Sequence, residues 1–328
     1  MPSLREFAQS YGVGNKLIHL ALQELAADGR IVMRPGRPTL AAIGLPLSSI
    51  MQNVIALILI SSAPNMFEDS NYKAIYDGII QGLHGRECPP LLLLHHHNRW
   101  RTEFPAGLRE LPLKAILLMG PFRPELLQQY EKMGFPVVLL DQPGEKWDIH
   151  SVAVANYDAA FAAASRLIQL GHRRIAFIRG VVHYMRAIDP DSKERQDGFV
   201  AACEKAGLKP SQFKIVTTGA DLNSPAVDAL IRAAPRFTAI LTANHGHTHQ
   251  VAIAAESAGL KIPRDLSVAG IHGYQPLSRN WSGPQIDFLE LGRMAALLVN
   301  AKPGARQHVR IQTAWNNGDS VAKFHARR

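Results

Sequence analysis

The 328-residue sequence is poor in cysteine: it has two, Cys88 and Cys203, far apart and without CxxC spacing. That argues against a disulfide framework or a cysteine-based zinc site and fits a reducing compartment. No apolar run reaches the roughly 18–20 residues that a membrane span needs. The nearest approach, MQNVIALILISSA at 51–63, mimics a secretory signal when read from Met51. It has no basic residues in front and lies inside the chain, so a buried first β-strand is expected there. The P-loop, the GxSxG elbow, HExxH and GxGxxG are absent too, which leaves the commonest nucleotide, hydrolase and metalloprotease chemistries without a fingerprint. What remains is ordinary for a folded globular protein, 47% hydrophobic and 19% charged, and long enough for two or three structural units. A net charge of +9 and a pI near 9.7 suit a polyanionic partner. The expected compartment is the cytoplasm, with no membrane contact.

Two rhythms divide the chain. In SLREFAQSYGVGNKLIHLALQELAADGRIVMRPGRPTL, positions Leu4, Phe7, Ala8 and Tyr11 follow helical spacing up to Gly12. A second run through Leu17, Ile18, Ala21, Leu22 and Leu25 ends at Gly29. IVMRPGRPTL then reads as a short β piece, a Pro-Gly turn and a return. The pattern predicts helix, turn, helix and a two-stranded wing over 1–42. The uncharged AAIGLPLSSI stretch marks a linker, placed at 43–52. From 53 onward, apolar strands (NVIALILI, LLLLHHH, KAILLMG, PVVLLDQ, RRIAFIRG, FKIVTTG, TAILTA, LSVAGIH) alternate with helical patterns such as NYKAIYDGIIQGLHG, KERQDGFVAACEKAG and QVAIAAESAG. That alternation predicts an α/β fold with parallel sheets covered on both faces, and roughly 270 residues suffice for two.

Four landmarks in order carry a family resemblance. LIQLGHRRIAFIRG (167–180), ERQDGFVAACEKAGL (194–208), FTAILTAN followed by AGLKIPRDLSVAGIHG, and LELGRMAALLV (289–299) resemble the effector-binding domain of the lactose-repressor (LacI/GalR) family. The N-terminal YGVGNKLIHLALQELAADGRIVMRPGRPT is similar to a GntR-type winged helix, and the pairing resembles repressors of the arabinose-repressor kind. The resemblance implies a periplasmic-binding-protein-like type I sensor at 53–328. Lobe 1 would take about 53–153 and 285–305, and lobe 2 about 154–284 and 306–328. Gly14, Asn15, Lys16 and Leu17 stand where the winged-helix family usually has Ser-Arg-Thr-Thr. Its first helix has no counterpart before MPSLREF: either the start is truncated or wrongly assigned, or this headpiece is a reduced one.

If Leu17, Ile18, Ala21 and Leu22 face a core, the opposite side of that helix presents Lys16, His19 and Gln23, with Asn15 at its start. N-terminal side chains of a recognition helix reach base edges in the major groove, so Asn15, Lys16 and His19 are the expected base-proximal residues. Arg30, Arg34 and Arg37 form an acid-free stretch on the wing suited to phosphate or minor-groove contact. Five basic against three acidic side chains in residues 1–40 is a modest margin, so a homodimer on a two-fold operator is expected.

LTANHGHTHQ, residues 241–250, sets three histidines at every second position. Read as a strand, His245, His247 and His249 share a face; read as a helix, only His245 and His249 do. A zinc site needs three or four converging ligands, and a helix N-terminus opposes added positive charge. Recognition is therefore preferred to metal binding, and neither metal nor cofactor is expected. The resemblance puts His245 at the cleft mouth, where the family usually has an Asp, with Asn244 beside it. It makes Arg195 the match of the family's effector-binding Arg. His272 stands where the family most often has Asp, and Ala155 replaces an Asp before Asn156. The cleft has thus lost negative charge, which favours an anionic or phosphorylated ligand over a neutral sugar. Tyr274 and Trp281 are candidate stacking surfaces, with packing as the competing role. A second cluster, His95 to His97, follows a strand of the other lobe. Asp141, closing PVVLLD, is expected to serve structure or lobe contact.

The expected function is an effector-controlled, DNA-binding transcriptional regulator, a repressor, and not an enzyme. The rivals are a solute-binding or sensory protein of the same fold that does not read DNA, and, further off, a metal-dependent enzyme.

Overall fold

A computed structural model describes residues 8–9, 12–27, 31–32, 40–41, 54–60, 70–83, 91–96, 108, 111–120, 122, 124–132, 134–182, 187–188, 190–219, 224–272, 279–301 and 306–325. Near the start, α1 (Asn15–Ala27) is followed by the antiparallel pair β1 (Ile31–Val32) and β2 (Leu40–Ala41). Among the side chains described on α1, residues 15–24, only Leu22 is buried; Leu17, Leu20 and Ala21 are exposed. The expectation that Leu17 and Ala21 face a core therefore fails. Of the expected helix through Leu4 and Tyr11, residues 8–9 are described and are helical, whereas Leu4, Phe7 and Tyr11 and the wing's Arg30, Arg34 and Arg37 lie outside the described residues.

The first sheet holds six parallel strands in the order β14-β7-β6-β5-β3-β4. They are β3 (Val54–Ile60), β4 (Leu91–His96), β5 (Leu113–Met119), β6 (Val137–Leu140), β7 (His150–Val154) and β14 (His308–Ile311). Every residue of β3 is buried, because successive side chains enter different layers. Ile55, Leu57 and Leu59 pack with α2 (Ser70–Leu83) and α8 (Phe288–Leu298), while Ala56, Ile58 and Ile60 pack with α3 (Pro124–Lys132). The apolar run at 54–60 is thus a buried strand. Asp141 ends β6 in the left-handed region, φ 54°, and its amide donates to Val152.

The second sheet orders β10 (Phe213–Thr218), β8 (Ile175–Val182), β11 (Ala239–Thr242) and β12 (Ser267–Gly270) in parallel, with β9 (Ala187–Ile188) antiparallel to the end of β8. Helices α4 (Asn156–Gln169) and α5 (Pro190–Lys205) cover one face; α6 (Pro225–Ile231) and α7 (His245–Ser257) cover the other. Two of the landmark glycines have a steric reason. A Cβ on Gly198 would run into the Tyr157 backbone of α4, and one on Gly292 into the Ile75 backbone of α2. These helix pairs cross in backbone contact, which only glycine allows.

One boundary needs correction. Residues 306–328 do not all belong to the second lobe: His308–Ile311 runs beside Ser151–Val154 as the edge of the first sheet. The chain returns to the second lobe after Ile311. There β13 (Gly283–Gln285) pairs with β15 (Ala314–Asn316) beside β12. Residues 320–324 then lace that lobe together: Ser320 Oγ donates to Val268 O at 2.6 Å, His172 Nε2 lies 3.1 Å from Ala322 O, and Phe324 N donates to Leu170 O at 2.8 Å.

Candidate functional site

Parallel strands leave their carboxyl ends as the place where following loops and helix N-termini converge. At the ends of β11 and β12 four of the expected residues come together. β11 stops at Thr242, and Asn244 caps α7: its side-chain oxygen accepts from His247 N at 3.0 Å. Thr242 Oγ1 and Thr248 Oγ1 are 2.6 Å apart, and Thr248 also donates to Asn244 O, so the first turn of α7 is fastened to the strand. The helix therefore begins at His245, earlier than the QVAIAAESAG pattern suggested. Helical geometry separates the three histidines. The rings of His245 and His249 meet edge-on with centroids 4.4 Å apart, whereas buried His247 turns toward Gly180 of β8.

His272 follows β12 and is 9% exposed; its ring meets that of His245 at 6.1 Å, again edge-on. Neither of its ring nitrogens has a hydrogen-bond partner among the described residues. Burial, reinforced by the positive charge of His245, Arg195 and His249, pushes its pKa down to about 4, so it is neutral near pH 7.

Arg195 projects from α5 and is 7% exposed. Its Nε donates to Asn156 Oδ1 at 2.7 Å and its Nη1 to Ala243 O, while Nη2 makes no hydrogen bond among the described residues. Asn156, at the start of α4, donates from Nδ2 to Asp191 Oδ1 at 3.1 Å. The guanidinium is thus oriented by neutral acceptors, with a carboxylate one step behind. The neighbouring acid on α5, Glu194, points elsewhere. Arg310 of β14 lies 3.1 Å from it and 3.1 Å from Glu145, joining the second lobe to the first.

Not every expected residue belongs to this group. Trp281 packs in the second lobe's core with Ile240, Val251 and Val268, under the guanidinium of Arg279. It borders a cavity of about 320 Å³ on the flank of α7 with His249, Ala252 and Ile253. It is a packing residue, because the chain at 279–282 is pinned beside β12 by the pairing of Ala269 with Ser282. Asn15, Lys16 and His19 are exposed on α1. Arg34, Arg37, Tyr274 and His97 lie outside the described residues. Sequence reasoning missed Asp191 and Glu194, and it mentioned Asn156 only as a neighbour of Ala155. Their one signal was an acid-rich helix start, PDSKE, after a strand. Among the described residues no three His, Cys, Asp or Glu side chains converge as metal ligands. Cys203 is buried, its thiol pushed up to about 12 by burial, and is therefore unreactive as a nucleophile.

Residues 164–321 match the periplasmic binding protein-like domain. The HTH-type transcriptional regulator GntR of Escherichia coli (strain K12) is 30% identical over 164 residues, which is 48% of this chain and 46% of that protein. The chain thus matches about half the length of that relative. Among solved structures, a LacI family transcriptional regulator from Mycobacterium smegmatis superposes with TM-score 0.66 at 21% identity, over 82% of this chain and 99% of that one. The transcriptional regulator CelR–cellobiose complex superposes with TM-score 0.68 at 18% identity, over 98% of this chain and 100% of that one. The architecture of this chain is therefore the α/β periplasmic-binding-protein-like fold with parallel sheets, the fold of these LacI family regulator structures.

Proposed function

We propose that this chain is a ligand-controlled, DNA-binding transcriptional regulator, acting as a repressor in the cytoplasm. A small molecule is held between the two lobes by Arg195, His245 and His272, and an N-terminal winged helix-turn-helix reads operator DNA through Asn15, Lys16 and His19. The observation that carries this reading is the polar cluster at the ends of β11 and β12, where Arg195 and His272 are buried near the first turn of α7. Similar proteins named as transcriptional regulators, one of them in complex with cellobiose, support it.

The mechanism needs only a difference in ligand affinity between two lobe arrangements. Arg195 and Glu194 are consecutive on α5, so a ligand that draws on Arg195 also moves the carboxylate that Arg310 grips from the first sheet. The linker at 43–52 joins the headpiece to that first sheet, and two copies on a two-fold operator convert lobe motion into operator affinity. A gel-shift titration against DNA upstream of the chain's own gene tests this. Binding is expected at low salt, falling steeply as salt rises and weakened by Lys16→Ala. A protein that binds small molecules but shifts no DNA at low salt is a sensor of the same fold without a DNA role, and the regulator reading would be wrong.

A further inference from the structure

At the centre of the site described above is one cation, Arg195, and among the described residues no carboxylate pairs with it. Arg195 is among the most buried charged side chains and forms no ion pair among the described residues. Both acids on its stretch of α5 are already engaged: Asp191 holds Asn156, and Glu194 holds Arg310. A guanidinium removed from water is costly unless an opposite charge meets it, and two neutral carbonyl oxygens do not supply one. Its Nη2 remains free to donate. Close enough for that charge to bear on it is His272, nine-tenths buried with both ring nitrogens unpartnered, beside the Thr248 side chain in the first turn of the 13-residue helix α7. A hydroxyl would satisfy a hydrogen bond here but not the charge.

We infer that the ligand carries an oxyanion, a carboxylate or a phosphoryl group, seated between Arg195 and His272 at the N-terminus of α7. This rests on the reading of the cluster as the regulator's ligand chamber. The guanidinium supplies the fixed charge and a donor, and His272, as either tautomer, donates from one nitrogen. His245, on the rim, closes the anion from the helix side.

The test uses the full chain and one carbon skeleton in three states: D-glucose, D-gluconate and D-glucose 6-phosphate, with inorganic phosphate as the bare anion. Titration calorimetry and thermal shift are expected to show at least one anion binding tenfold or more tighter than glucose. Preference between gluconate and the two phosphates separates carboxylate from phosphoryl recognition. Arg195→Gln and His272→Leu are each expected to weaken that anion tenfold or more. Should Arg195→Gln fail to fold by circular dichroism, His272→Leu still decides, since it removes an unsatisfied polar group from apolar surroundings. Glucose binding as tightly as the anions, no anion raising the melting temperature, or anion affinity unchanged in His272→Leu overturns the inference. The two readings fail separately. A neutral sugar that releases DNA sinks the oxyanion and leaves the regulator, whereas anion binding without any DNA shift does the reverse.

Discussion

The two lobes share an architecture but spend their buried positions differently. Along β3, β5 and β6 of the first lobe the core is aliphatic on both faces, and among the described residues its buried polar side chains are His150 and Ser151 of β7, next to the edge strand β14. Among the described residues the second lobe and its junction bury more polar side chains, and of these Asn156, Arg195, Thr242, His247, Thr248 and His272 gather near the carboxyl ends of β11 and β12. Apolar burial specifies a sheet cheaply, whereas buried polar groups must each find a partner or cost stability. The first lobe is therefore built as scaffold over its described strands, and the second gathers the buried polar groups on which the proposed recognition rests. The loops that follow β3 and β4 lie outside the described residues, so this contrast concerns the strands and helices.

Substitution can pull the two roles apart. Leu117→Ala, at a fully buried site in the first sheet, should cost about 2–5 kcal/mol in a urea melt. Ligand affinity of the molecules that remain folded should not change; a matching loss of affinity would erase the division of labour. Acidification comes next. His272, His150 and His172 all have pKa values lowered by burial, so the unfolded chain binds their protons more readily than the folded one. Their stabilisation is complete above about pH 6.5 and is lost as pH falls through the lowered values, about 4 for His272, which alone contributes about 3 kcal/mol. Melting temperatures measured across that range should fall, and His272→Leu should flatten the curve. At pH 7.5 the same substitution should raise the stability of the ligand-free chain by about 1–3 kcal/mol, because it removes two unpartnered buried nitrogens. A destabilised variant would mean that His272 is a satisfied packing residue. The smallest effect is expected from Glu194→Gln. Its ion pair with Arg310 is about one-third exposed on both sides, so stability should change by less than about 1 kcal/mol. The ligand-induced change in DNA affinity should nonetheless shrink, as measured by gel shift with and without ligand.

Much of the scaffold was legible in the sequence because long apolar runs and 3.6-residue spacing are local. The strands at 54–60, 113–119, 137–140 and 267–270 follow from them directly. The short β13, β14 and β15 did not announce themselves. Three or four residues carry no periodicity, and their existence depends on backbone edges presented by distant segments. The cluster was partly legible: Arg195, His245 and His272 were candidates by resemblance and lie near one another in the fold, and the helical reading separated His247 from its neighbours. The brace between Arg195 and Asn156 spans 39 positions and that between Arg310 and Glu194 spans 116, beyond any local pattern. Trp281 misled because an aromatic beside a site looks the same in sequence whether it faces a ligand or a core.

The late return of the chain has a consequence for biosynthesis. The first sheet is not complete until His308–Ile311 has emerged, and the second lobe is not tied off until Ser320 and Ala322 reach Val268 and His172. During translation both halves must wait, with edges unpaired, for nearly the whole polypeptide. A truncation or bulky fusion near residue 320 should therefore harm soluble yield far more than one of equal size before α1.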